Sequence, residues 1–205
     1  MEGKRQGLVF VVSSPSGGGK TSLVKRALES LPNLRRSVSC TTRPPRPGER
    51  DGVDYIFLGR AEFERRIAED RLLEWAEVYG NLYGTPKEPI EQNSASGVDT
   101  LLAIEIQGAR SIRRQYPRVI TIFVQPPSLK VLEKRLRERG SDPEEVIQRR
   151  LELARSELGW IHQYDYAVVN DDLDRAAGDL MAIITAERCR VRRDPSPPPA
   201  KGGPP

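Results

Sequence analysis

The sequence predicts an α/β protein, a parallel sheet core with helices on both faces. Two observations carry the prediction. Apolar, β-branched runs of buried-strand length recur at residues 8–12, 101–106, 119–124 and 166–169, and segments of helical spacing separate them. A glycine-rich loop joins the first run to the first helical segment, in the strand–loop–helix order of a phosphate-binding turn.

The chain has 205 residues, enough for one domain with small inserted subdomains. Charged residues make up 30% and hydrophobic ones 37%, a balance that suits a globular enzyme with a large charged surface. A formal net charge of +4 argues only weakly for a polyanionic partner, and neither nucleic acid nor a membrane is expected. The single histidine, His162, leaves a His-based metal site or a Ser-His triad little to work with. Cys40 and Cys189 stand in no metal spacing, which points to a reducing, cytoplasmic compartment.

In chain order, LVFVV at residues 8–12 reads as a fully buried strand, too short an apolar run for a signal-peptide core or a membrane span. SSPSGGGKTS follows at residues 13–22. Its glycines free successive backbone N–H groups to turn inward on anionic oxygens, and a helix starting near Lys20 adds its positive end. Lys20 would reach terminal phosphates and the Thr21 hydroxyl would hold Mg²⁺. The pattern departs from G-x-x-x-x-G-K-[ST] at its first glycine, which is Ser14 here. Leu23, Val24, Ala27 and Leu28 continue the helix toward Pro32.

Residues 43–52, RPPRPGERDG, read as a loop in which Arg43 and Arg46 flank stiffening prolines. Guanidinium forks match phosphate oxygens, although by composition a solvated basic loop is an equal reading. Residues 55–58 read as a strand, 61–69 as a helix with Phe63 and Ile67 on one face, and 73–79 with 82–83 as a bent hairpin. Short strands and few aliphatic runs make residues 37–97 an insertion outside the main sheet. Helices are expected at 107–116, 128–139, 143–158 and 172–188, and the proline-rich tail 191–205 is expected to be disordered.

The stretches SVSCTTRPPRPGERDGVDY, LLEWAEVYGNLYGTP, IEIQGA and VVNDDLD, in that order after the phosphate loop, resemble guanylate kinase over about residues 8–187. The resemblance implies a P-loop kinase fold in which ATP, with Mg²⁺, donates its γ-phosphoryl group to GMP. It divides the chain into core (1–36, 98–125, 159–190), GMP-binding insertion (37–97) and helical lid (126–158). It implies ATP contacts at Ser16, Gly17, Gly18, Gly19, Lys20, Thr21, Ser22 and Asn170. Arg43, Arg46, Tyr55 and Tyr83 would hold the GMP phosphate, and Ser39, Glu74 and Thr85 would face the base. Arg135, Arg139 and Arg150 would cover ATP, and with Lys20 and Arg43 they form the catalytic set.

Chemistry agrees with the base assignment. Guanine offers N1–H and N2–H donors on one edge, which a carboxylate such as Glu74 can accept, beside an O6 acceptor for the Ser39 and Thr85 hydroxyls. Adenine would set its N1 lone pair against that carboxylate. Taken alone, Glu74 reads as a surface strand carboxylate, Thr85 as a helix N-cap before Pro86 and Asn170 as a turn residue. The arginines of residues 134–150 read alone as a charged helix face with Glu/Arg pairs four apart. One departure from the family pattern is Ala103, where an acid is common. Only Glu105 remains there, near a strand end, within reach of guanine or an Mg²⁺-bound water.

Overall fold

A computed structural model describes residues 5–78, 80–116, 118–138 and 143–191. Five strands form one wholly parallel sheet: β1 (Val9–Ser13), β2 (Leu34–Arg36), β7 (Asp99–Ala103), β8 (Ile120–Gln125) and β9 (Tyr166–Val169), in the spatial order β2-β7-β1-β8-β9. Successive side chains point to opposite faces, so β1 feeds two cores. Phe10 and Val12 pack with Leu23, Val24 and Ala27 of α1 (Lys20–Ser30) and Leu180 and Ile184 of α7 (Leu173–Cys189). Val11 packs on the other face with Leu102, Ala109 and Ile112, the last two from α4 (Ile106–Gln115).

A second, four-stranded sheet lies within residues 37–97, ordered β4 (Ile56–Phe57), β3 (Cys40–Thr41), β6 (Asn81–Pro86) and β5 (Leu72–Val78). It has its own small core, where Phe63 of α2 (Arg60–Ala68) meets Cys40, Leu72 and Leu82, with Ile67 packed beside them. Leu73 of β5 belongs instead to the second face of the main sheet, which joins the two parts. The helix α3 (Glu88–Ala95) also packs on that face through Ile90, and Ser94 bonds Gly7 in both directions. A third core, Leu132, Leu136, Ile147, Leu151 and Ala154, binds α5 (Leu129–Glu138) to α6 (Glu144–Leu158).

The expected strand over 101–106 is shorter than its apolar run. It ends at Ala103, and Ile106 already opens α4, because one buried apolar run is shared by a strand and the next helix. Thr85 is no N-cap: it is fully buried in β6, and α3 begins three residues later with Lys87 at the cap. Nor is Glu74 a surface carboxylate, since it is 7% exposed. The expected hairpin residue Tyr79, the arginine Arg139 and tail residues 192–205 lie outside the described residues. Among the described residues no helix is long and apolar enough to cross a membrane.

Candidate active site

The loop after β1 turns by positive φ at Gly17 (91°) and Gly19 (92°), and the Gly18 N–H closes on the Pro15 carbonyl at 2.9 Å. Packing demands both glycines. A Cβ on Gly19 would lie 2.0 Å from Asn170 Nδ2, and one on Gly17 would meet Leu132 and Leu136 of α5 at 2.8 and 3.0 Å. Asn170, just past β9, donates Nδ2–H to the Gly18 carbonyl at 2.8 Å. Its own carbonyl accepts from Arg135 Nη2 at 2.9 Å. Asn170 is therefore a clamp on the loop and an anchor for the α5 arginine. Ser16 and Ser22 flank this turn, and Thr21 and Ser22 are exposed on the first turn of α1.

Lys20 lies across the end of β7. Its ammonium donates to the Ile104 carbonyl at 2.9 Å and to Glu105 Oε1 at 3.3 Å. Glu105 precedes α4 in extended backbone and is largely exposed. A cleft of about 410 Å³ opens beside the loop, lined by Gly17, Gly19, Ser22, Arg135, Asn170 and Leu173 among others. Arg135 Nη1 is buried there without a hydrogen-bond partner. A guanidinium with an unmet donor beside a glycine loop is a group built to meet an anion. Arg150 lies on α6, which packs against α5. The outward face of α5 carries the four-apart pairs that the spacing also suggested, with Arg137 bonded to both Glu133 and Glu144.

The four-stranded sheet gathers the second set of side chains. Arg43 is 9% exposed and lies over the rings of Tyr55 and Phe57, its Cζ 5.1 and 5.7 Å from their centroids. Tyr55 meets Tyr83 edge-on at 6.1 Å, and the Tyr83 hydroxyl lies against Arg43. Burial pushes the Tyr55 hydroxyl above its ordinary pKa. Arg46 is exposed on the same loop, and Ser39 is half-buried just before β3. Glu74 sits on β5, its Oε1 accepting from the Thr85 hydroxyl at 2.6 Å. The Thr85 donor expected for O6 is thus engaged with the carboxylate. A side chain on Gly108 would come within 3.0 Å of Glu74 Oε2, so the start of α4 presses on the carboxylate because that residue is glycine. Burial raises the Glu74 pKa, and the Thr85 bond only partly offsets it.

Four groups escaped the sequence reading. Glu49 grips Arg43 with both oxygens, at 2.6 and 2.7 Å, and its signal was its position three residues after Arg46 in RPPRPGE. Ser37 Oγ is buried without a partner just beyond β2. Ser13 Oγ is buried at the end of β1, facing the Tyr164 hydroxyl without closing a well-formed hydrogen bond, and neither atom has another partner. Glu157 of α6 buries one unpartnered oxygen, and burial, then the charge of Glu105, pushes its pKa up to about 7. Nothing in the local sequence marks Ser13, Ser37 or Glu157, because only the fold buries them.

Known proteins resemble this chain in sequence and fold. A family model described as guanylate kinase matches residues 6–187. A guanylate kinase of Desulfitobacterium hafniense is 49% identical over 192 residues, covering 94% of this chain and 96% of the relative. One from Nitrosospira multiformis is 51% identical over 187 residues, covering 91% of this chain and 89% of the relative. The crystal structure of guanylate kinase from Anaplasma phagocytophilum superposes with a TM-score of 0.75 at 37% identity, over 91% of this chain and 89% of that one.

Proposed function

The chain belongs to the guanylate kinase family, whose reaction moves the γ-phosphoryl group of ATP to GMP to give ADP and GDP, and we propose a division of that work among its residues. The observation that carries the division is the buried, unpartnered Nη1 of Arg135 beside the glycine loop. The loop amides of residues 16–19, Lys20 and Arg135 take the ATP phosphates, and Arg139 and Arg150 act from the lid, residues 126–158. Asn170 lies beside the cleft that takes the rest of ATP. Mg²⁺, when bound, neutralises phosphate charge, and the exposed Thr21 hydroxyl would hold it. Mg²⁺ is ordinarily held by one or two protein oxygens together with substrate phosphates and water.

Residues 37–97 take GMP. Arg43, Arg46, Tyr55 and Tyr83 hold its phosphate, and Ser39, Glu74 and Thr85 face the base, with Glu105 between the base and Lys20. An oxygen of the GMP phosphate bonds to the γ-phosphorus as the bond from that phosphorus to the β–γ bridging oxygen breaks. The electron pair leaves with ADP. The acceptor oxygen is already charged, so no side chain has to remove a proton. Catalysis is alignment plus cations placed where charge develops. On binding ATP, Lys20 exchanges Glu105 for phosphate oxygens. The two free cysteines suit a cytoplasmic enzyme.

The test is ADP formation by the purified protein with ATP, Mg²⁺ and, in turn, GMP, AMP, CMP, UMP or no acceptor. ADP with GMP alone is the expected result. ADP with another acceptor would overturn the assignment of Glu74 and keep that of Lys20. Folded protein that binds GMP yet forms no ADP would overturn the catalytic set.

A further inference from the structure

The loop from Arg43 to Glu49 is closed on itself by one carboxylate. A guanidinium carries five N–H groups. Arg43 Nη1 donates to the Pro44 carbonyl at 2.8 Å and to Glu49 Oε2 at 2.7 Å, and Nη2 donates to Glu49 Oε1 at 2.6 Å. That count leaves Nε–H and the second Nη2–H on the side of the guanidinium that the Tyr83 hydroxyl also approaches. These two lie on one edge and form the side-on fork that matches two oxygens of a phosphate. The Tyr55 and Phe57 rings stand near the guanidinium, so it cannot swing freely. The same Glu49 oxygen that meets Nη1 also accepts the Arg46 backbone N–H at 2.8 Å. The Glu49 N–H returns to the Arg46 carbonyl at 3.0 Å, through a turn that Gly48 permits at φ 87°.

We propose that Glu49 is a positioning residue for the acceptor phosphate: it aims the remaining side-on fork of Arg43, beside the Tyr83 hydroxyl, and sets its spacing from Arg46. This rests on the reading of Arg43 and Arg46 as ligands of the GMP phosphate. Glu49 cancels the charge of Arg43 at close range. The carboxylate therefore works against attraction of a phosphate and in favour of its orientation. The Arg43 guanidinium, followed by the Arg46 N–H, holds the Glu49 pKa down at about 2, so the clasp persists at any working pH. Glutamine at this position has the same shape. Its amide NH₂ would oppose one guanidinium N–H, and the two-point pair would be lost.

The experiment compares wild type with Glu49→Gln and Glu49→Asp. It measures KM for GMP and for ATP, and the inhibition constant of guanosine, which carries the base without the phosphate. For Glu49→Gln the KM for GMP should rise about tenfold, the factor that about 1.4 kcal/mol of lost positioning gives. The guanosine constant and the KM for ATP should stay within about twofold of wild type, as for an interaction made only to the phosphate. Glu49→Asp keeps the charge but is one methylene too short to span both arginines, and it should also bind GMP more weakly. Parallel loss of GMP and guanosine would mean that Glu49 only holds the insertion together, and would overturn the proposal. Unchanged or tighter GMP binding in Glu49→Gln, or full rescue by aspartate, would overturn it as well. Calorimetry of GMP on the wild type separates the two levels. A wild type that does not bind GMP fails the acceptor reading itself, whereas one that binds GMP beside an unaltered Glu49→Gln fails only the role of Glu49.

Discussion

In the proposed reading Glu74 must be charged to accept two donors from guanine, in a place that disfavours its charge. Burial raises its pKa above the ordinary 4.5, and the Thr85 bond lowers it by less. An acid whose folded pKa exceeds its unfolded one favours folding at low pH. It loses that contribution as pH rises from about its ordinary value through the raised one. Under the proposed reading binding runs the other way, because ionised Glu74 would be the form that accepts N1–H and N2–H. The KM for GMP should therefore fall as pH rises through the raised Glu74 pKa, while the KM for ATP stays level across the same window. Glu74→Gln should remove that dependence and raise the KM for GMP by at least about tenfold, as expected for a mispaired buried donor. Steady-state kinetics across that window check both statements. A pH profile unchanged by the substitution would show that Glu74 does not read the base.

At the scale of elements, the glycine loop is where β1, α1 and α5 meet. Its geometry depends on Asn170 after β9 and on Leu132 and Leu136 of α5, both remote in sequence. Gly19→Ala forces a side chain into positive φ and onto the Asn170 amide, which must then release Gly18. Left-handed backbone at a residue with a side chain costs on the order of 1–3 kcal/mol. The expected outcome is a KM for ATP raised about tenfold with the KM for GMP within about twofold, because only the loop proposed to take ATP is disturbed. Equal losses for both nucleotides would place the damage in the fold rather than in the loop. Most of these elements were legible. The helices expected at 143–158 and 172–188 correspond to Glu144–Leu158 and Leu173–Cys189, since long periodic segments signal themselves. Leu34–Arg36 was not legible: two of its three residues are charged and exposed, and it is a strand only because β7 pairs with it at the sheet edge.

For the molecule as a whole, the order β2-β7-β1-β8-β9 places Ser13, Ala103, Gln125 and Val169 along one edge of the sheet. The glycine loop, Glu105 and Asn170 all leave from that edge, which is where open parallel sheets bind ligands. The opposite edge is held by a clasp. Asp99, fully buried at the start of β7, accepts from Arg5, from Arg188 of α7 at 2.7 Å and from the Leu8 N–H at 2.7 Å. Removing that charge leaves Arg188 facing an amide. Asp99→Asn should cost about 3 kcal/mol of stability in urea unfolding, in line with breaking a buried ion pair. Nucleotide KM values should be unchanged, since the clasp and the site lie at opposite ends of β7. A wild-type denaturation midpoint would show that the pair contributes nothing. By itself the sequence determined the α/β class, the phosphate loop and the candidate residues, because each is written in contiguous spacing and residue type. Only the tertiary structure decided that Glu74 is buried against Thr85 and Gly108, that Arg43 is clasped by Glu49, and that Arg135 keeps an unmet donor. Burial and hydrogen-bond partnership are properties of neighbours in space, and those neighbours are chosen by how the sheets and helices pack.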